Sequence, residues 1–223
     1  MTEPDIMVYL MTGFLDSGKT QFLTFTLKQD YFQIDGKTLL ILCEEGEEEY
    51  DPMEMLRYGV VIEKVEDQED LTAEWLEEMN RKHEPERVVV EYNGMWKVSD
   101  FENLKLPDGW GIEQKLTTVD ASTFQMYLTN LKPLFVEMVR GADLVLFNRC
   151  EDIKPLAGYR RSVKVVSPQA EVIFEDEEGE IENIFEDEVP YDLKAPVIEI
   201  AKEDYGIWYV DMMENPDRYK GKV

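Results

Sequence analysis

Apolar runs alternate with amphipathic stretches over most of this chain. IMVYLM (6–11), TLLILC (38–43), RVVVEY (87–92) and DLVLFN (143–148) are apolar on both faces and predict strands buried on both sides. VVIEKV (60–65), KLTTVDA (115–121) and AEVIF (170–174) predict further strands. Helices are expected at about 18–29 and at 71–83, where Leu71, Trp75, Leu76 and Met79 share one face. Another is expected over 122–139, where Phe124, Leu128, Leu131, Phe135 and Met138 recur at three-and-four spacing, with Pro133 kinking it. EEGEEEYD (44–51) is a loop by composition. The alternation predicts an α/β fold, a mostly parallel sheet with helices on both faces.

The pattern changes near residue 175. Between Lys164 and Lys194 there is no basic residue and there are eleven acidic ones, so EDEEGEIENIFEDEVPYD (175–192) reads as a boundary or a mobile acidic segment. Two parts are therefore expected: an α/β domain over 1–175, and an acidic segment with a C-terminal extension over 176–223. The last residues, NPDRYKGKV, read as a turn leading into a strand that is not reached, as if a second module were cut short.

Composition narrows the functional classes. A chain of 223 residues with 43% apolar residues can build a full core. Its net charge of −26 excludes nucleic acid and anionic membrane surfaces as favoured partners. It suits cations, metal ions among them, or simply a solubilising surface. Two cysteines 107 positions apart make no disulfide framework and fit a reducing cytoplasm. The N-terminus lacks a basic n-region, and no run of about 18 apolar residues predicts a membrane span or direct insertion.

The chemistry is concentrated in three stretches. TGFLDSGKT (12–20) follows an apolar strand and opens a helix, the context in which Gly13-x4-Gly18-Lys19-Thr20 reads as a phosphate-binding loop. Gly13 permits the sharp exit from the strand, and Gly18 lets the backbone approach a phosphate. Lys19 is expected to bridge β- and γ-phosphates, and Thr20 to offer its hydroxyl to Mg²⁺. Ser17 and Gln21 complete the expected nucleotide-binding set. In VVVEYNG (88–94), Glu91 ends a strand where a carboxylate suits Mg²⁺, directly or through water, and Gly94 is placed to donate to a γ-phosphate. In LFNRCED (146–152), Asn148 is expected to bond a purine, Arg149 to lie along it, and Glu151 to accept from guanine. Guanine is the favoured base, with adenine left open.

Taken together these segments resemble the CobW-like family of P-loop GTPases, relatives of HypB and UreG, from about residue 6 to about 175. GFLDSGKT is similar to that family's GFLGAGKT, and EYNGM (91–95) to its ECTGM-type segment. TVDAS (118–122), ADLVLFNRCE (142–151) and SPQAEVI (167–173) resemble its later segments. CEEGEEEYD (43–51) falls at its Asn-Glu-x-Gly-Glu switch loop, with Glu44 and Gly46 at matching positions. The resemblance implies a P-loop NTPase fold, GTP hydrolysis with Mg²⁺, and handling of Co, Ni or Zn for a partner protein. The family's Cys-x-Cys-Cys site is missing: GVVIEKVEDQEDL (59–71) stands there without a cysteine. A transition metal would have to use Glu44, Cys43 and the acidic loop, a harder set of ligands.

Two functions are carried forward. One is a Mg²⁺-dependent GTP-binding protein and slow GTPase serving metal trafficking or metalloprotein and transporter partners, with Lys19 and Glu91 as its catalytic residues. The other is a nucleotide-gated regulatory module for a membrane or metal-handling partner, with little hydrolysis. Expected partners are GTP, a metal-handling or permease-type protein and a second copy of the chain. A P-loop kinase is disfavoured, since no lid-like cluster of arginines is present. His83 is expected at an exposed helix end, and Cys150 packed. Asp16, an anion inside the phosphate loop, either helps hold K⁺ beside the β–γ bridge or turns to solvent or a nearby N–H.

Overall fold

The computed structural model describes residues 4–44, 46, 48–153, 156–181 and 189–222. Among these, eight strands form one sheet: β1 (Ile6–Thr12), β2 (Thr38–Leu42), β3 (Val60–Lys64), β4 (Arg87–Glu91), β5 (Trp110–Asp120), β6 (Leu144–Asn148), β7 (Glu171–Asp176) and β8 (Gly179–Glu180). Their order is β3-β2-β4-β1-β5-β6-β7-β8. Every pairing is parallel except β7 with β8, a short antiparallel hairpin.

Helices cover both faces, as a parallel sheet requires. Side chains alternate across β1: Val8 and Leu10 enter one core, Met11 the other. The smaller core packs Leu23 and Leu27 of α1 (Lys19–Leu27) and Met55 of α2 (Pro52–Arg57) on Leu40, Leu42 and Val89. The larger core lies on the opposite face. It takes Leu76 and Met79 from α3 (Ala73–His83), and Val98 and Phe101 from α4 (Val98–Glu102). Phe124 of α5 (Phe124–Asn130), Phe135 and Met138 of α6 (Lys132–Val139), and Tyr159 and Val163 of α7 (Leu156–Lys164) complete it. Near the C-terminus lie α8 (Tyr205–Glu214) and α9 (Pro216–Tyr219).

Three local expectations change. The single kinked helix over 122–139 is two helices, α5 and α6, separated at Leu131, which has φ −126°. Pro133 sits in the first turn of α6, where its missing N–H costs least; in a continuous helix it would leave the carbonyl four residues earlier unpaired. The strand expected at 115–121 begins five residues earlier, because Trp110–Gln114 also pair with β1 around a register shift between Val8 and Tyr9. NPDRYKGKV, expected as a turn, is helical over Pro216–Tyr219. It carries α9, and Tyr219 donates a hydrogen bond to the buried Asp211 of α8. Of the acidic stretch 175–192, residues 182–188 lie outside the described residues. Among the described residues no helix is long and apolar enough to cross a membrane.

Candidate functional site

β1 lies between β4 and β5, so the loop after β1 is flanked by the exits of both strands, with the exit of β6 one strand further. The loop turns through Asp16 (φ 58°) and Gly18 (φ 88°) before α1 starts at Lys19. The left-handed backbone of Gly18 favours glycine, and a Cβ there would also lie 2.5 Å from Asn148 Nδ2, which would have to shift. Lys19 is buried and folds back over the loop, donating to the carbonyls of Gly13 (3.0 Å) and Phe14 (2.9 Å). Its Nζ also lies 2.5 Å from Glu44 Oε2.

Thr20 and Glu91, each expected at Mg²⁺, are brought together. The Thr20 hydroxyl donates to Glu91 Oε1 at 2.9 Å. Two neighbouring ligands of an octahedral Mg²⁺, each about 2.1 Å from the ion, stand about 3 Å apart, so this oxygen pair fits Mg²⁺ directly or through water. Burial pushes the Glu91 carboxyl above the usual carboxylate range, although Tyr50, Lys19 and Thr20 all favour its charged form.

Gly94 lies against the phosphate loop. A Cβ on it would stand 2.4 Å from the Gly13 carbonyl oxygen and 2.8 Å from Phe14 Cα, so close backbone approach fixes glycine here. The Gly94 N–H, expected to face a phosphate, donates to Glu44 Oε1 at 3.2 Å. Glu44 therefore joins Lys19 and Gly94.

The turn after β6 latches onto the same loop. Asn148 Nδ2 donates to the Ser17 carbonyl at 2.9 Å, and its Oδ1 is buried without a hydrogen-bond partner among the described residues. Ser17 shares a hydroxyl hydrogen bond of 2.9 Å with Thr118 of β5. Arg149 does not lie free along a base-binding surface. Its Nη1 donates to the Asp16 carbonyl (2.8 Å) and to Asp120 Oδ2 (2.5 Å). Burial opposes ionisation of Asp120, but hydrogen bonds from Ser122 and Arg149 outweigh it and hold the carboxyl below its usual range.

Two cavities adjoin here, with Gly18 and Arg149 lining both. The smaller, about 90 Å³, is walled by Asp16, Lys19, Thr20, Glu44, Gly46 and Glu91. The larger, about 1330 Å³, takes in Gln21, Asn148, Glu151 and the carboxylates of Glu175 and Asp176. The smaller cavity sets Lys19 and Arg149 against the carboxylates of Asp16, Glu44, Glu48 and Glu91, and the larger joins Gln21 and Asn148 to the rings of Phe22, Phe25, Tyr31 and Phe32. Among the described residues no group of three or more His, Cys, Asp or Glu side chains is arranged to hold a metal ion. Cys43, 1% exposed, belongs to the large core, while the neighbouring Glu44 turns to Lys19.

Four residues at this site were not singled out by sequence reasoning. Tyr50 is buried and donates to Glu91 Oε2 at 2.5 Å, and the only signal for it was an aromatic in an otherwise charged run. Asp120 and Thr118 lie in TVDAS, a segment matched as a strand end without a role for either side chain. Asn93 donates to the Cys43 carbonyl at 3.1 Å and so pins the start of the 44–51 loop. His83, expected exposed, is only 15% exposed and shares a 2.7 Å hydrogen bond with Glu63.

Comparison with known proteins follows the same outline. The family model described as CobW/HypB/UreG, nucleotide-binding domain, matches residues 7–174. The hydrogenase maturation factor HypB from Archaeoglobus fulgidus is 18% identical with a TM-score of 0.52, over 77% of this chain and 82% of that one. The Zn(II)-bound YjiA GTPase from E. coli is 22% identical with a TM-score of 0.57, over 82% of this chain but 60% of its own. HypB from Helicobacter pylori in complex with nickel is 10% identical with a TM-score of 0.51, over 98% and 90% of the two chains. These likenesses show a shared fold. No curated protein gives a significant match.

Proposed function

Since the chain belongs to the CobW/HypB/UreG nucleotide-binding family, we propose that it is a Mg²⁺-dependent GTP-binding protein and slow GTPase. The observation that carries this reading is the convergence of Lys19 and the Thr20–Glu91 pair on one small cavity, which Arg149 also lines and whose Glu44 accepts from the Gly94 N–H. Lys19 and the loop N–H groups stabilise charge on the transferred phosphoryl group. Thr20 and Glu91 hold Mg²⁺, which when bound neutralises phosphate charge. Asn148 and Glu151 orient the base. Water is the nucleophile. Arg149 is already bonded to Asp16 and Asp120, so it supplies no mobile positive charge, and turnover without a partner is slow.

Service to a metal-handling or transporter partner is part of the proposal and rests on family membership. HypB and YjiA, with nickel and zinc in their structures, are relatives in fold. In this chain, which has no cysteine over 59–71, a metal cargo would meet oxygen ligands such as Glu44. A cytoplasmic setting and a boundary near residue 175 belong to the same proposal. So does Asp16, whose place in the loop is tested by comparing turnover in K⁺ with that in a bulky organic cation.

Calorimetric titration of GTP and ATP, with and without Mg²⁺, joined to a phosphate-release assay, tests the reading. GTP binding that needs Mg²⁺ and fails in Lys19→Ala, with slow phosphate release, is expected. Binding without release would select the alternative, a nucleotide-gated regulatory module. No binding of either nucleotide would overturn both.

A further inference from the structure

Glu44 leaves the end of β2 and turns its side chain back into the phosphate loop. Its backbone is placed from two directions: the Cys43 N–H donates to the Glu91 carbonyl, and Asn93 Nδ2 donates to the Cys43 carbonyl. The side chain then spans two donors, with Oε2 2.5 Å from Lys19 Nζ and Oε1 3.2 Å from the Gly94 nitrogen. The ion pair is shielded from water, its side chains 3% and 9% exposed.

An ammonium has three N–H donors. Those of Lys19 go to Gly13 O, Phe14 O and Glu44, so none is left for a phosphate oxygen while Glu44 stays. Of the two groups that Glu44 engages, Lys19 is the one that the proposed function assigns to the transferred phosphoryl group, and Gly94 is the one that the sequence places to donate to a γ-phosphate. A carboxylate offers two anionic oxygens on one edge, as that group does.

We propose that Glu44 is an internal stand-in for the terminal phosphoryl group and thereby sets the preference of the site for nucleoside diphosphate over triphosphate. The inference rests on the nucleotide reading of the site. A diphosphate sits on the loop N–H groups and leaves the Lys19–Glu44–Gly94 contact in place. A triphosphate has to displace it, freeing one end of the 44–51 loop while Tyr50 still holds the other end to Glu91. Binding of triphosphate is thus coupled to a change in that loop, because the arriving anion takes the partners of the departing one.

The test is titration of the full chain with GDP and with a non-hydrolysable GTP analogue in Mg²⁺, for wild type, Glu44→Gln and Glu44→Ala. Wild type is expected to bind GDP the more tightly. Both substitutions are expected to tighten the analogue by roughly tenfold or more while GDP affinity moves by less than about threefold. Glu44→Asp keeps the charge but is one methylene too short to span both donors, and is expected to fall between. An analogue-to-GDP ratio that is the same in wild type and Glu44→Gln would overturn the role of Glu44 and leave nucleotide binding intact. A wild-type chain that binds neither nucleotide would overturn the nucleotide reading itself.

Discussion

Tyr50 and Glu91 are joined by a buried hydrogen bond, the phenol hydroxyl donating to Oε2 at 2.5 Å, while Thr20 occupies Oε1 of the same carboxylate. Tyr50 also packs in the smaller core with Leu23, Leu27 and Met55. One side chain therefore ties the 44–51 loop both to the sheet and to the oxygen pair suited to Mg²⁺. Tyr50→Phe keeps the ring and removes the donor. Leaving a buried acceptor short of a partner costs about 1–3 kcal/mol. Urea denaturation should show a lower midpoint, and Mg²⁺ titration of GTP binding a shifted half-point. A midpoint equal to wild type would mean that the bond contributes nothing.

Gly94→Ala places a methyl group 2.4 Å from the Gly13 carbonyl oxygen, a backbone atom that cannot swing away. Relieving such a contact costs typically about 1–3 kcal/mol and displaces the loop. The expected outcome is a soluble, less stable chain with GTP affinity reduced by roughly tenfold or more. Calorimetry together with a thermal melt reads both effects. An unchanged affinity would separate residues 93–95 from the phosphate site.

The two thiols are expected to be silent in the native chain. Burial drives the Cys150 thiol up to about 12 and that of Cys43 higher still, with nearby carboxylates pushing the same way. They are 3% and 1% exposed. Ellman's reagent at mildly alkaline pH should therefore label neither on mixing and both after denaturation. Rapid labelling of either native thiol would contradict their placement in the core.

Glu63 at the end of β3 accepts from Lys82 and His83 of α3, each at 2.7 Å. Burial raises its carboxyl, but these hydrogen bonds and charges outweigh burial and bring it below the ordinary value of 4.5. With the folded state favouring the charged form, this contact contributes stability above about pH 4.5 and loses it as pH falls through the lowered value. Glu63→Gln is expected to flatten the acid limb of stability there, read as urea midpoints between about pH 6 and 3. Parallel acid limbs in the two proteins would remove the contact from the account.

The parts legible in the sequence share a physical reason. β2 and β4 are buried along their whole length and β1 and β6 over most of theirs, so short apolar runs pointed to inner strands. The phosphate loop was legible because backbone geometry demands glycine at a fixed spacing, and the Thr20–Glu91 pair followed from strand adjacency. What escaped was built by long-range contact. No local pattern announces that Glu44 will pair with Lys19, 25 residues away, or that Tyr50 will reach Glu91, 41 residues away. α7 carries its apolar stripe on few residues, Leu156, Tyr159 and Val163, among polar ones and a glycine, too short a pattern to stand out. For Arg149, expected to lie along a base, no local pattern shows that the left-handed turn of its backbone (φ 53°) also brings the guanidinium to Asp16 and Asp120.

Asn148 and Arg149 bond the carbonyls of Ser17 and Asp16, so the turn after β6 and the loop after β1 are held in fixed register. The conformational entropy of aligning the two halves proposed to read base and phosphate is then lost during folding and not when ligand arrives. A nucleotide of the proposed kind meets two loops already fixed against each other, with only the Glu44 contact left to change. Guanosine and pyrophosphate supplied as separate molecules meet the same loops, but each must give up its own translational freedom. The covalent link between base and phosphate, which runs through the ribose, then spares a second loss of translational freedom.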